Sequence, residues 1–231
     1  MANGTSGTKG GASGSNSGAP VSYKQLSDAE GAALLNKNPA WDNDDEIAEA
    51  IDLYASDTDP YGNGYSYSQN LNHDLSHGGF LTPQEAAIDA GLQKGMTEIG
   101  QDVELARFCH DGILKELGVQ NYASMTDSEL QSKLVGATFK TTSYLSTSYN
   151  GGKSPFAPGG KVGGGREVHM KIKAKKNTKF VRGDKSQAEL VLNRGSKVKV
   201  TNIYFDGSTA SPKNIYPNKI PRVVLEVEIS G

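Results

Sequence analysis

The chain has 231 residues, 35% of them hydrophobic and 22% charged, with a formal net charge of −2 at pH 7. That length admits one large domain or two small ones, and the apolar share can build a core, though not one drawn evenly from every segment. The near-neutral balance excludes a protein that coats nucleic acid by bulk charge, the single Cys109 excludes both an internal disulfide framework and a cysteine-based zinc site, and no run nears the roughly 18 apolar residues of a membrane helix.

Glycine is unevenly spread: six of the 28 fall in residues 1–20 and seven in residues 151–165. Residues 1–20 (MANGTSGTKGGASGSNSGAP) have no apolar period, so ordering them would cost backbone entropy that no burial offsets. They are expected to form a flexible tail or linker ahead of one domain over residues 21–231. The N-terminus has neither the basic nor the apolar region of a secretory signal, which leaves localisation open, with delivery as part of a larger protein as one route. Charge is polarised as well. Residues 28–59 carry ten of the 26 acids, whereas residues 161–200 carry twelve of the 24 Lys and Arg against three acids. A basic segment beside a glycine-rich loop suits a phosphate-bearing ligand, and solvated strand faces account for the same lysines equally well.

The first half reads as helices with visible starts. Ser27 with Glu30 forms a capping-box pattern before Ala32, Ala33, Leu34 and Leu35. Asp44, Asp45 and Glu46 place acids on the first turn of a helix whose Ile47, Ile51 and Tyr54 share a face. Thr82, Pro83 and Glu85 precede Ile88 and Leu92, and Thr126 with Glu129 precedes Leu130 and Leu134. The second half changes period: Val168, Met170, Ile172 and Ala174 alternate with His169, Lys171 and Lys173, as in a strand with one dry face. Further strands are expected at 180–182, 188–192, 198–204 and 223–229. Helices followed by strands imply an α+β fold.

Three stretches set polar residues within apolar strands, where they must be hydrogen-bonded or useful. In VELARFCH (103–110), Arg107 can grip a phosphate through its guanidinium fork, or pair with Glu104 or Asp111 at a strand edge. In SYLSTSY (143–149), Ser146 and Ser148 share a face and can orient a carboxylate. In SQAELVL (186–192), Gln187 and Glu189 sit two apart, and hence on one face of a strand, where an amide and a carboxylate can divide positioning from charge stabilisation.

In this order, the Arg, Ser-Thr-Ser and Gln-x-Glu elements resemble the mono-ADP-ribosyltransferases, the toxin-like class that includes the clostridial Rho-modifying exoenzymes. LVGATFKTTSYLSTSYN is similar to that family's approach to its Ser-Thr-Ser strand, Asn193-Arg194-Gly195-Ser196 to the basic-glycine turn after its Glu, and Leu71, Asn72 and Leu75 to an Ile-Asn-x-x-Leu element. The resemblance covers about residues 45–229. It implies an N-terminal helical lobe packed on a small two-sheet β core, and NAD as the substrate, with no metal. By the same resemblance Arg107 binds the NAD pyrophosphate, Ser146 orients Glu189, Thr147 and Ser148 support the nicotinamide pocket, Glu189 stabilises the cation formed as nicotinamide leaves, and Gln187 positions the acceptor. Residues 150–165 correspond to a phosphate-nicotinamide loop, in which Phe156 is a candidate to stack on nicotinamide and Lys161 or Arg166 a second phosphate contact. Residues 181–186 correspond to a target-reading turn.

Two departures stand out. Phe108 follows the Arg where relatives often have Gly, and the turn VRGDKS has no aromatic residue where Rho-modifying relatives commonly carry one, which weakens Rho as the expected target. Gln at position 187 fits an Asn, Gln or nucleobase acceptor better than an arginine, and a pierisin-like DNA-modifying branch is similar in its Gln-x-Glu pattern. The macromolecular target is therefore a protein or a nucleic acid, and the toxin resemblance leaves room for an antitoxin or immunity partner. An NAD glycohydrolase, or a catalytically silent binding domain of a phage or secreted multidomain protein, are the competing readings. His73, His77, His110 and His169 lack metal-ligand spacing, Cys109 reads as a small packed residue, Trp41 as a packing anchor, and the Arg182-Gly183-Asp184 tripeptide as coincidence.

Overall fold

The computed structural model describes residues 23–110, 113–114, 117–119, 125–153, 167–206 and 222–231; the expected tail over residues 1–20 lies outside them. Helices α1 (Asp28–Leu35), α2 (Ala40–Asn43), α3 (Asp45–Ala55), α4 (Tyr67–His77) and α5 (Pro83–Gly95) come first, and α6 (Asp127–Leu134) falls among the strands. The capping boxes at Ser27, Thr82 and Thr126 close as expected, each hydroxyl taking the N–H of a Glu three residues on while that Glu takes the cap's own N–H. A fourth box, Ser66 with Gln69, starts α4, which the hydrophobic period misses because Leu71 is its one buried residue.

The helices gather around α3 and α5. Helix α3 turns Ile47, Ala50, Ile51 and Tyr54 inward, and α5 answers with Ile88, Gly91 and Leu92. A Cβ on Gly91 would lie 2.5 Å from the Ala50 Cβ and 2.7 Å from the Glu46 carbonyl oxygen, so the absence of a side chain there sets how closely the two helices approach.

The strands are β1 (Lys24–Gln25), β2 (Thr97–Glu98), β3 (Val103–His110), β4 (Thr138–Lys140), β5 (Leu145–Ser148), β6 (Glu167–Ala174), β7 (Lys179–Arg182), β8 (Glu189–Leu192), β9 (Lys197–Asp206) and β10 (Arg222–Ser230). They form one hydrogen-bonded path, β2-β7-β8-β5-β3-β6-β10-β9-β4, with β1 added to β3. The α+β expectation holds, and the two expected sheets are two arms of this path. One arm is β2-β7-β8-β5; the other is built on β3, β6, β10 and β9. A single residue pair, Ala106 with Ser148, joins them, whereas β3 and β6 pair along their full lengths. The alternation read for β6 is realised: Val168, Met170, Ile172 and Ala174 are buried and His169, Lys171 and Lys173 are not.

Among the contacts that hold the helices to the short arm, two stand at Trp41 and Asp89. Trp41 is fully buried, donates Nε1–H to the Gly95 carbonyl at 2.8 Å and meets Phe180 of β7 edge-on at 5.4 Å, as its reading as an anchor anticipates. Asp89 of α5 receives the Arg194 fork at 2.8 and 2.9 Å and the Tyr144 hydroxyl at 2.6 Å, which makes the basic-glycine turn a clamp on α5. Substituting Gly91→Ala is expected to cost about 1–3 kcal/mol, because the contact at Glu46 is backbone and yields only if the helices separate. Urea unfolding of the variant against wild type measures it, and an unchanged midpoint would refute the close-approach argument.

Candidate active site

The cleft forms where the two arms diverge. Arg107 of β3 reaches across the single-pair junction and donates Nη1–H to the Ser146 carbonyl at 2.7 Å. Its Nε is buried and has no hydrogen-bond partner among the described residues. A buried, unpaired guanidinium N–H is costly, and a phosphate oxygen is a partner that would meet the need.

Glu189 opens β8. Ser148 pairs with it and Ser146 with Val191, so Ser146, Ser148 and Glu189 share one face. Glu189 Oε2 accepts the Asp184 backbone N–H at 2.8 Å, and the Ser146 hydroxyl stands on the same face of the paired strands. Desolvation is the largest influence and holds the Glu189 pKa above the ordinary carboxylate range. The Asp184 N–H and the Ser146 hydroxyl oppose it, the Asp184 charge adds to it, and Arg107 opposes it. Gly183 makes room for this group: a Cβ there would lie 2.2 Å from Glu189 Oε2.

The shared strand face expected for Gln187 and Glu189 is corrected by the structure. Gln187 ends a 3-10 turn, Lys185–Gln187, and Ala188 follows with φ 54° and ψ 39°, a left-handed conformation that breaks the pleat before β8 begins. A fully buried non-glycine residue held in this conformation is strained. Hydrogen bonds on both sides hold it. The Tyr149 N–H donates to the Ala188 carbonyl at 3.2 Å, and Ser148 Oγ lies 2.9 Å from the Gln187 carbonyl. Gln187 still belongs to the cluster, because its Nε2 donates to Asp184 Oδ2 at 2.9 Å.

Other expected residues divide. Thr147 is buried and gives its hydroxyl to the Leu190 carbonyl at 2.8 Å, backing the Ser146 face from behind. Phe108, next to Arg107 on the strand, points to the opposite face and stacks on His169 at 4.3 Å, where Gly151 packs against it. It is therefore not brought together with Arg107; through Ala106 its face is the one that continues to Ser148 and Glu189. Phe156, Lys161 and Arg166 lie outside the described residues. Arg182 is withdrawn from the expected target-reading turn: it is buried and grips Asp42 through two hydrogen bonds at 2.8 and 3.0 Å. Arg182, Gly183, Asp184 and Lys185 line a pocket of about 410 Å³ together with Ile51, Asp52, Ala55 and Ser56, and Arg107, Ser146 and Glu189 are not among its lining residues. Among the described residues no group of three or more His, Cys, Asp or Glu is placed to hold a metal.

Sequence reasoning missed two contributors from the helices. Tyr54 reads as one of three residues on an inward helix face, and Asn72 only as part of a family-like triplet. Asn72 Nδ2 in fact donates to the Tyr54 hydroxyl at 2.9 Å, and that hydroxyl lies 3.5 Å from Ser146 Oγ.

An Arg, a Ser-Thr-Ser strand and a Glu meeting at the junction of two β arms beneath a helical lobe define the ADP-ribosyltransferase class of fold, and solved structures of that class superpose on this chain. The Clostridium limosum C3 exoenzyme does so with a TM-score of 0.61 at 16% identity, over 91% of this chain and 98% of its own. Plx2a, an ADP-ribosyltransferase toxin from Paenibacillus larvae, gives 0.59 at 20% identity over 88% and 96%. C3stau2 from Staphylococcus aureus, solved with NAD, gives 0.58 at 16% identity over 90% and 99%. Comparison with curated protein sequences gives no match. The chain belongs to the ADP-ribosyltransferase exoenzyme family, whose sequence model matches residues 35–217. It is accordingly an NAD-dependent mono-ADP-ribosyltransferase, with NAD as substrate.

Because folding raises the Glu189 pKa, the folded chain binds that proton more tightly than the unfolded chain. Stability is therefore greatest when both states are protonated and falls as pH rises from the ordinary carboxylate range through the folded pKa. Glu189→Gln is expected to raise the melting temperature at pH 7, with the difference closing as pH falls into the ordinary carboxylate range. Melting curves at pH 7 and pH 3.5 check this; equal melting temperatures at pH 7 would count against a strained carboxylate.

Proposed function

We propose that Arg107 anchors NAD through its pyrophosphate and that Glu189, oriented by Ser146, is the carboxylate that stabilises the ribosyl cation as nicotinamide departs. One observation carries the reading: the two charged groups flank the Ser-Thr-Ser strand from different sides, Arg107 of β3 bonded to the Ser146 carbonyl and Glu189 of β8 paired with Ser148 on the face that Ser146 shares. The reaction breaks the bond between ribose and nicotinamide nitrogen, whose electron pair leaves with nicotinamide, so positive charge develops on the ribose. A carboxylate held in a largely desolvated pocket gains strength against such charge, because no water must reorganise around it. Its raised pKa is the cost of that placement.

The acceptor enters beside Gln187. The donor side of that amide is committed to Asp184, whose carboxylate also takes the Ser186 N–H and hydroxyl at 2.7 Å each. Gln187 Oε1 is left to receive an N–H from the incoming nucleophile. A neutral carbonyl suits the amide of an Asn or Gln side chain, or a nucleobase amine, better than a guanidinium, which favours a carboxylate partner. The toxin affiliation extends the reading to an antitoxin or immunity partner.

Wild type, Glu189→Ala and Arg107→Lys incubated with labelled NAD, alone and with cell lysate or nucleic acid, test these assignments. Glu189→Ala is expected to lower nicotinamide release by at least about a hundredfold. Arg107→Lys is expected chiefly to raise the KM for NAD, since an ammonium cannot reproduce the fork. Label on a protein or nucleic-acid band identifies the acceptor, whereas release without label makes water the acceptor and the protein an NAD glycohydrolase. Undiminished release from Glu189→Ala would overturn the assignment.

A further inference from the structure

The donors and acceptors behind Ser146 can be assigned a direction. The Tyr144 backbone N–H donates to Asn72 Oδ1 at 2.9 Å, which fixes the Asn72 amide and leaves its Nδ2 to donate to the Tyr54 hydroxyl at 2.9 Å. Tyr54 is almost fully buried, and burial pushes its phenol pKa up, so it remains a neutral O–H donor. With its oxygen accepting from Asn72, its one proton has Ser146 Oγ, 3.5 Å away, as its partner. If Ser146 accepts that proton, its own hydroxyl is free to donate to the Glu189 carboxylate. Every donor then points toward the carboxylate, and each bond in such a chain polarises the next. The Tyr54 contact is at the long end for a hydrogen bond, as catalytic contacts often are before substrate tightens the site.

We propose that Tyr54 is a positioning residue for the transfer reaction, its hydroxyl directing the Ser146 proton onto Glu189 and so tying the carboxylate to the helical lobe through α3 and α4. The proposal rests on the reading that Glu189 is the catalytic carboxylate. The charged and titratable groups that face Glu189 are Asp184 from the preceding turn, Arg107 from β3 and Tyr54 from α3. Removing the Tyr54 hydroxyl leaves the first two in place and lets Ser146 turn its proton elsewhere. The ring is to be kept, because it packs edge-on against Tyr144 at 5.8 Å.

The test is a double-mutant cycle on nicotinamide release by the full chain. Tyr54→Phe is expected to lower kcat about tenfold with the KM for NAD nearly unchanged, and to move the acid limb of the pH profile to higher pH, because the carboxylate loses a donor. In a Ser146→Ala background the same substitution is expected to have no further effect, since both act through one chain of bonds. Asn72→Asp, which would turn the Tyr54 proton back toward α4, is expected to reproduce the loss and supplies a second route should Tyr54→Phe fold poorly. Wild-type kcat in both Tyr54→Phe and Asn72→Asp, or losses that add in the Ser146→Ala background with no movement of the acid limb, would overturn the proposal. Glu189→Gln runs alongside: if it keeps wild-type nicotinamide release, the reading of Glu189 fails whatever Tyr54 does, and if it is inactive while Tyr54→Phe is normal, the relay alone fails.

Discussion

Everything at the site depends on how little holds the two β arms together. Strands β3 and β5 share one residue pair, Ala106 with Ser148. A longer ladder would force the arms into one continuous twisted surface, with Ala106 in line with Ser148 and Glu189 and Arg107 on the opposite face. With one pair the arms splay, and the residues flanking the junction look into the gap from both sides. Because backbone bonding is so thin there, side chains supply the rest: Arg107 bonds across to the Ser146 carbonyl, and Ser148 ties the end of β5 to the turn before β8. The same groups that take part in the proposed chemistry also keep the junction at its angle.

The helical lobe is more than a cover. Among the points where it reaches the short arm are Trp41 against Phe180, Asp42 under Arg182, Asp89 under Arg194 and Tyr54 beside Ser146. The second of these takes the first residue of the tempting Arg-Gly-Asp run out of solvent and anchors the turn that leads to Glu189. Gly183 can then lie flat against the carboxylate while the next N–H bonds to it. An isolated buried carboxylate would be a large liability. Here the Asp184 N–H from the turn, the Ser146 hydroxyl of β5 and the Arg107 charge of β3 spread that cost over several elements.

What the sequence revealed was local. Capping boxes declare themselves within four residues, and β6 declares itself by strict alternation over eight, so both are legible without knowing the fold. Helix α4 was hidden because its polar surface has no apolar period, although Ser66 and Gln69 mark its start. The two-residue strands β1 and β2 are too short to carry a period at all. Among the site residues, Arg107, Ser146 and Glu189 were found through their order along the chain, since no one of the motifs distinguishes itself from ordinary polar strand sequence. Gln187 was placed on the wrong kind of element because a single left-handed residue, Ala188, resets the face, and alanine gives no sign of that conformation. Tyr54 was seen only as a packing residue; its hydroxyl acquires meaning from partners 18 and 92 residues away.

The position of β10 has a consequence for how the chain comes to be active. It follows every other described strand in sequence, yet it lies inside the long arm, parallel to β6 and antiparallel to β9, with Val223, Leu225, Val227 and Ile229 fully buried. A nascent polypeptide that has emerged only as far as β9 leaves β6 and β9 with open edges and no shared core. The long arm is joined through that strand, since β6 and β9 meet only by way of β10. For a protein that consumes NAD, this ordering ties the site to the docking of β10, although Arg107, Ser146 and Glu189 all precede it in the chain.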